Sequence, residues 1–161
     1  MAYYESPALT VTWDGELGAV TLNWHDFAHS DQYREGLNQG LELVREKNAR
    51  NWLADLRDLG TVRQDDQQWT HEEWHPRAFE TSLSNMAIIQ PESVITNLSV
   101  DDLVQEVGSN VTSRMFDNRP DAEAWLREQR QSHQRTQLGD SNQEREHEQS
   151  SSETLRDNYR E

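Results

Sequence analysis

The sequence predicts an α/β domain, a mixed sheet with helices packed on it in the order β-β-α-β-α-β-α-β-α. Three observations predict this. An opening pair of alternating segments reads as a hairpin. Two later apolar runs, 51–56 and 85–90, each follow a stretch of helical character, as parallel strands reached by crossover do. The apolar residues are also concentrated early: between positions 131 and 161 only Leu138, Leu155 and Tyr159 are apolar, although 33% of the 161 residues are hydrophobic. A core can therefore form over residues 1–130, and residues 131–161, rich in Gln, Ser, Glu and Arg, are expected to be a disordered polar acidic tail, because burial there cannot offset chain entropy.

Each element has its own local reason. Leu9-Thr-Val-Thr-Trp13 alternates apolar and polar, Asp14-Gly15 is the dipeptide of a type I′ turn, and Leu17 to Trp24 alternates again. Ser30 is placed to cap a helix in which Tyr33, Leu37, Leu41 and Val44 recur at helical spacing, with Gly36 and Gly40 flattening one face for packing on a sheet. Asn51-Trp-Leu-Ala-Asp-Leu56 follows as a central strand. Asp65 to Ser82 reads as helix, bent or interrupted near Pro76, because proline disfavours helical geometry at His75 and has no backbone N–H. Asn85 to Gln90 is the next strand, closed by Pro91. Val94 to Val100 either extends the sheet or leads into a third helix capped by Ser99 and Asp102, carrying Leu103, Val104 and Val107 and ending at Gly108. Ser113 to Phe116 is a brief last strand. Asn118 caps a final helix with Pro120 in its first turn and Ala122, Trp125 and Leu126 on its buried side. Helices are expected on one face of the sheet.

Composition narrows the function classes. The chain has 30 Asp and Glu against 15 Lys and Arg, a formal net charge of −15. Residues 1–130 hold 23 of those acids and 11 of the bases, which opposes a phosphate backbone, so nucleic acid is not an expected partner. Lys47 is the only Lys beside 14 Arg. That bias matches proteins of salt-filled cytoplasm, where dense carboxylates hold water and cations, and it points to a salt-adapted microbe. With no Cys there is no disulfide, thiolate metal site or cysteine nucleophile. Neither a membrane span nor a secretion signal is apparent, so a cytoplasmic location is expected.

Read in order, Asn51-Trp-Leu-Ala-Asp-Leu-Arg-Asp58, Asp66-Gln-Gln-Trp69, Glu73-Trp-His-Pro-Arg77, Asn85-Met-Ala-Ile-Ile89 and Arg114-Met-Phe with Ala124-Trp-Leu126 resemble the SpoIIAA-like (STAS/SEC14-type) branch of the STAS family over residues 8–130. The resemblance implies a STAS-like fold and a non-enzymatic role in regulation and protein–protein interaction. In the family's anti-sigma-factor antagonists, a serine at the start of the helix after the third strand is phosphorylated to break a partner complex. The matching neighbourhood here is Asp65-Asp66-Gln67, so the usual phosphorylatable serine is missing, and Asp66 would present a fixed negative charge in its place. Asp66 also has a purely structural use, satisfying the orphan N–H groups of a helix start.

Carboxyl ends of parallel strands are where ligands settle in open α/β sheets, which selects Asp55, Arg57 and Asp58 beyond the third strand; the alternative is a local surface ion pair. With Asp66, Trp69, Glu73 and Arg77 they make up the expected partner-binding site. The partner would be another protein or a second copy of the chain in a homodimer. A second reading makes the protein a carrier of a small apolar ligand or lipid, enclosed by the sheet and the Trp-rich helix, with Trp69 and Trp74 bordering the pocket. A third is a zinc hydrolase: His71-Glu-Glu-Trp-His75 matches H-E-x-x-H, in which two His hold zinc and Glu72 activates its water. Against it stand Pro76, which would pull His75 out of line with His71, and the lack of a well-spaced third ligand. His25 and His29, also four apart, read as loop residues. No catalytic residue, metal or cofactor is therefore assigned.

Overall fold

The computed structural model describes residues 2–108 and 110–134. The chain divides into Met1–Arg127 and a second unit from Glu128 onward. Residues 128–134, the described part of the second unit, are helical. Four residues of the expected tail, 131–134, are thus helical, and the expectation of disorder for 135–161 lies outside the described residues.

The first unit is built on a seven-stranded mixed sheet. Its strands are β1 (Tyr4–Glu5), β2 (Leu9–Asp14), β3 (Ala19–Trp24), β4 (Asn51–Asp55), β5 (Asn85–Ile89), β6 (Val104–Val107) and β7 (Val111–Phe116), in the spatial order β1-β2-β3-β4-β5-β7-β6. β3, β4, β5 and β7 run parallel, while β1, β2 and β6 are antiparallel additions at the two edges. The helices are α1 (Ser30–Lys47), α2 (Gln64–Trp69), a π-helical turn (Thr70–Trp74), α3 (His75–Phe79), α4 (Glu92–Thr96) and α5 (Val100–Leu103). A last helix, α6, covers residues 119–127 of this unit.

Alternation along each strand sends residues to both faces, and both are covered. On one face Leu9, Val11, Val20, Leu22, Trp24, Trp52, Ala54 and Met86 meet Tyr33, Leu37, Leu41 and Val44 of α1, with Trp74 and Ala78 beyond. On the other, Ala19, Leu53, Ala87, Ile89 and Phe116 meet Leu17 and the Ala122, Trp125 and Leu126 stripe of α6. Helices on a single face were expected. The central parallel strands are apolar on both sides, with β3 and β4 buried along nearly their whole length, and such strands need cover on both faces.

Other expectations are corrected in detail. The hairpin register pairs Asp14 with Ala19, so the loop spans residues 15–18 instead of a two-residue type I′ turn. Leu17 N–H donates to Asp14 Oδ1 at 3.0 Å, and the left-handed residue is Gly18 at φ 61°. The longer loop carries Leu17 into the core on the α6 face. The expected third helix ends after Leu103. Ser99 does cap it, accepting from Asp102 N–H. Val104 to Val107 then pairs with β7, Gly108 turning the hairpin at φ 65°. Two β-branched residues on a sheet edge suit strand geometry better than another helical turn. The interruption expected near Pro76 takes the form of the π-helical turn between α2 and α3, but His75 does not leave helical geometry. His75 N–H bonds to Thr70 O, five residues back, and His75 keeps helical angles of φ −55° and ψ −46°. The widened turn absorbs the ring that would collide with the carbonyl of Glu72, and Pro76 falls in the first turn of α3, where no N–H is needed.

α1 lies close on the sheet because Gly36 and Gly40 carry no side chain. A Cβ at Gly40 would stand 2.7 Å from Trp52 Cη2 and 3.1 Å from Leu22 Cδ1. Gly40→Ala is therefore expected to destabilise by about 1–3 kcal/mol through overpacking, despite better helix propensity. A urea titration showing a gain in stability would mean that α1 can lift freely.

Candidate functional site

At the carboxyl end of the central strand β4, Asp55 and Arg57 form a two-pronged pair. Arg57 Nε donates to Asp55 Oδ1 at 3.0 Å and Nη2 to Oδ2 at 2.7 Å, while Arg57 backbone N–H reaches Oδ1 at 3.1 Å. Burial resists ionisation of Asp55, yet the hydrogen bonds from Arg57 outweigh it and, with Arg57 and Arg119 nearby, hold the carboxyl below its ordinary range. The same bonds raise Arg57, helped by the charges of Asp55 and Asp58. Asp58 is exposed beside them. Arg119, from the start of α6, donates to Asn23 Oδ1 at 2.6 Å and Glu123 Oε1 at 2.9 Å. It brings a second guanidinium to this end of the sheet.

A second group lies between α1 and α2. Asp66 is only 2% exposed. Its Oδ2 accepts from Ser30 Oγ at 2.7 Å and its Oδ1 from Arg34 Nε at 2.9 Å. Burial opposes its ionisation, but Ser30 and Arg34 more than compensate, and the carboxyl sits below its ordinary range. Thr70 Oγ1 donates to Asp66 O at 2.8 Å and shares a bond with Tyr33 OH at 2.8 Å. Burial raises the Tyr33 hydroxyl, and the charge of Asp66 adds to the rise. Outside this core, the half-buried Trp69 ring has Arg34 over it at 5.1 Å and Arg77 at 6.0 Å. Arg77 Nη2 donates to Asn38 Oδ1 at 3.0 Å and its Nε to Glu73 O at 3.2 Å.

The predicted site residues thus divide. Asp55, Arg57 and Asp58 share one group, while Asp66, Trp69 and Arg77 share another, with Glu73 contributing its carbonyl and leaving its carboxylate exposed. No hydrogen bond or ion pair among the described residues joins the two groups. The fixed charge expected of Asp66 is corrected: its carboxylate is enclosed and neutralised, so it presents nothing outward. Ser30 is corrected too. The capping position is His29, without a side-chain cap, and Ser30 in the first turn spends its hydroxyl on Asp66. Trp74 is core, not a pocket border; it is 1% exposed and donates from Nε1 to Leu37 O at 3.0 Å.

Sequence reasoning missed Ser30, Tyr33, Arg34, Asn38 and Thr70 as partners of this site. The only signal was spacing: Ser30, Arg34 and Asn38 recur every four residues along α1 and so share a side. Around the H-E-x-x-H segment, the His71 and His75 ring centres are 6.0 Å apart, so Pro76 does not separate them. Among the described residues no group of three His, Cys, Asp or Glu is arranged to hold a metal ion.

Comparison with protein-family models, curated proteins and solved structures finds no match to this chain. No helix among the described residues is long and apolar enough to cross a membrane.

Proposed function

We propose that the chain is a non-enzymatic, STAS-like regulatory module of a salt-adapted microbe, binding another protein, or a second copy of itself, through the carboxyl end of the sheet and the start of α2. One observation carries this reading: the two enclosed acids of the candidate site, Asp55 and Asp66, are saturated by neighbouring side chains, while Asp58 and Glu73 stay exposed. Asp55 is satisfied by Arg57, and Asp66 by Ser30 and Arg34. Both carboxyls are shifted away from neutrality, whereas an acid or base working near neutral pH is tuned toward it. Exposed guanidinium and carboxylate groups beside a half-buried indole are the components of a recognition surface. The mixed α/β sheet with its parallel centre is compatible with the family resemblance. Because Asp stands at position 66 where the family has its serine, the module would act without the family's serine switch.

A photo-crosslinking residue placed at Arg57 tests this, with the same residue at Arg45 on α1 as control. A discrete adduct in cells at position 57 and none at 45 is expected. Identical patterns at both positions, or none at either, would count against the reading.

The carrier reading has one observation in its favour. Trp24 Nε1–H is buried without a partner among the described residues, on a ring stacked 5.7 Å from Tyr33. A retained small molecule with a hydrogen-bond acceptor would satisfy it. Native mass spectrometry of the purified chain decides, since a bare apo mass argues against a carrier.

Salt adaptation makes its own prediction. Molar salt should raise the melting temperature, because added ions screen repulsion among the excess carboxylates. A midpoint unchanged between low and molar salt would remove that part of the proposal.

A further inference from the structure

We propose that His71 and His75 form a two-imidazole clamp for one borderline divalent transition-metal ion, completed by water and not by a third side chain. The geometry begins with the π turn. Residue 75 closes onto residue 70 and His75 keeps helical angles ahead of Pro76, which leaves it on the turn after His71. The ring centres are 6.0 Å apart. With metal–nitrogen bonds of ~2.0–2.1 Å, two imidazoles sharing an ion place their centres about 5 Å apart, so closure needs an approach of about 1 Å and a rotation of His71 out of its edge-to-face setting, 88° from the plane of His75.

The clamp has one fixed jaw and one free one. His75 is half-buried, stacked 11° from parallel on Phe79 at 5.3 Å, with Trp74 beside it at 5.5 Å. His71 is exposed and can swing toward it. Fixing one ligand in advance reduces the ordering cost of binding. Imidazole nitrogens select copper, nickel and zinc over magnesium and calcium, which prefer oxygen, and affinity should follow the usual rise to copper.

The same geometry separates this site from a hydrolase. Glu72, which a hydrolase would aim at the bound water, accepts from Gln68 Nε2 at 3.2 Å on the preceding turn. Without a third protein ligand, the ion would be held weakly and exchangeably. The inference stands apart from the proposed protein-binding surface and does not depend on it.

Calorimetric titration of the full chain with Cu²⁺, Ni²⁺, Zn²⁺ and Mg²⁺ tests the clamp. One Cu²⁺ per chain is expected, with Ni²⁺ and Zn²⁺ weaker and no comparable site for Mg²⁺. His71→Ala and His75→Ala should each lower Cu²⁺ affinity at least tenfold, while His29→Ala should leave it unchanged. His71 is exposed, so His71→Ala should keep the wild-type circular dichroism spectrum, and the test survives even if His75→Ala loosens the fold. Absence of a 1:1 site, binding that persists in the His71→Ala chain, or binding lost in His29→Ala would overturn the proposal.

Discussion

Replacing Trp52 with alanine is expected to cost about 3–5 kcal/mol, the range for emptying a buried aromatic site, and to lower the melting temperature by on the order of 10 °C or more. Trp52 is 1% exposed on β4. Its ring centre is 5.1 Å from that of Trp74 on the π turn, and its edge faces Gly40 of α1. One side chain therefore joins the sheet, α1 and the π turn. Trp52→Phe should cost much less. It should also couple to Gly40, because the Cβ that clashes at 2.7 Å meets an indole atom that phenylalanine lacks. In a double-mutant cycle, Gly40→Ala should lose most of its penalty in the Trp52→Phe background. Additive costs, or a Trp52→Ala penalty under 1 kcal/mol, would show that these elements do not share the contact.

How much of this was legible depends on whether a residue's environment is local. β4 and β5 were read within a residue or two because they are written as apolar runs, and β3 because Leu17 to Trp24 alternates. α1 and α6 were legible because Tyr33, Leu37, Leu41, Ala122, Trp125 and Leu126 obey helical spacing and do pack. β6 was not, since it lies at the edge with Val104, Gln105 and Glu106 all exposed, and a strand without a buried side carries no alternation to detect. The loop at 15–18 was misread because Asp14-Gly15 fits a tight turn locally, whereas the burial of Leu17 that overrides it is set by α6, more than a hundred positions later. The candidate site follows the same division. Asp55 and Arg57 stand two apart in sequence and were found. Ser30, Arg34 and Asp66 are brought together across more than thirty residues, and short-range reasoning assigned the hydroxyl to a cap and the carboxylate either to the surface or to the start of its own helix.

That long-range contact makes Asp66→Ala the most informative change at the site. The substitution removes the acceptor for two side chains, one of them charged. Charge-assisted hydrogen bonds of this kind contribute about 1.5–3 kcal/mol each, but Arg34 is 39% exposed and can be rehydrated by solvent, which discounts its share. A loss of about 2–4 kcal/mol is expected, with Ser30→Ala and Arg34→Ala each costing less. The acid dependence has a definite sign. The folded-state carboxyl lies below its ordinary value, so the native state binds fewer protons than the unfolded chain between those two values, and unfolding takes protons up. The contribution of Asp66 is therefore complete at neutral pH, begins to fall as pH approaches the unfolded value of about 3.9, and is lost as pH drops through the folded value. Urea titrations should accordingly show Asp66→Ala well below wild type at pH 7, with the two curves converging in acid. A constant gap at all pH values would mean that Asp66 acts through packing alone, and a gap below 1 kcal/mol at pH 7 would mean that the Ser30 and Arg34 contacts do not tie α1 to α2.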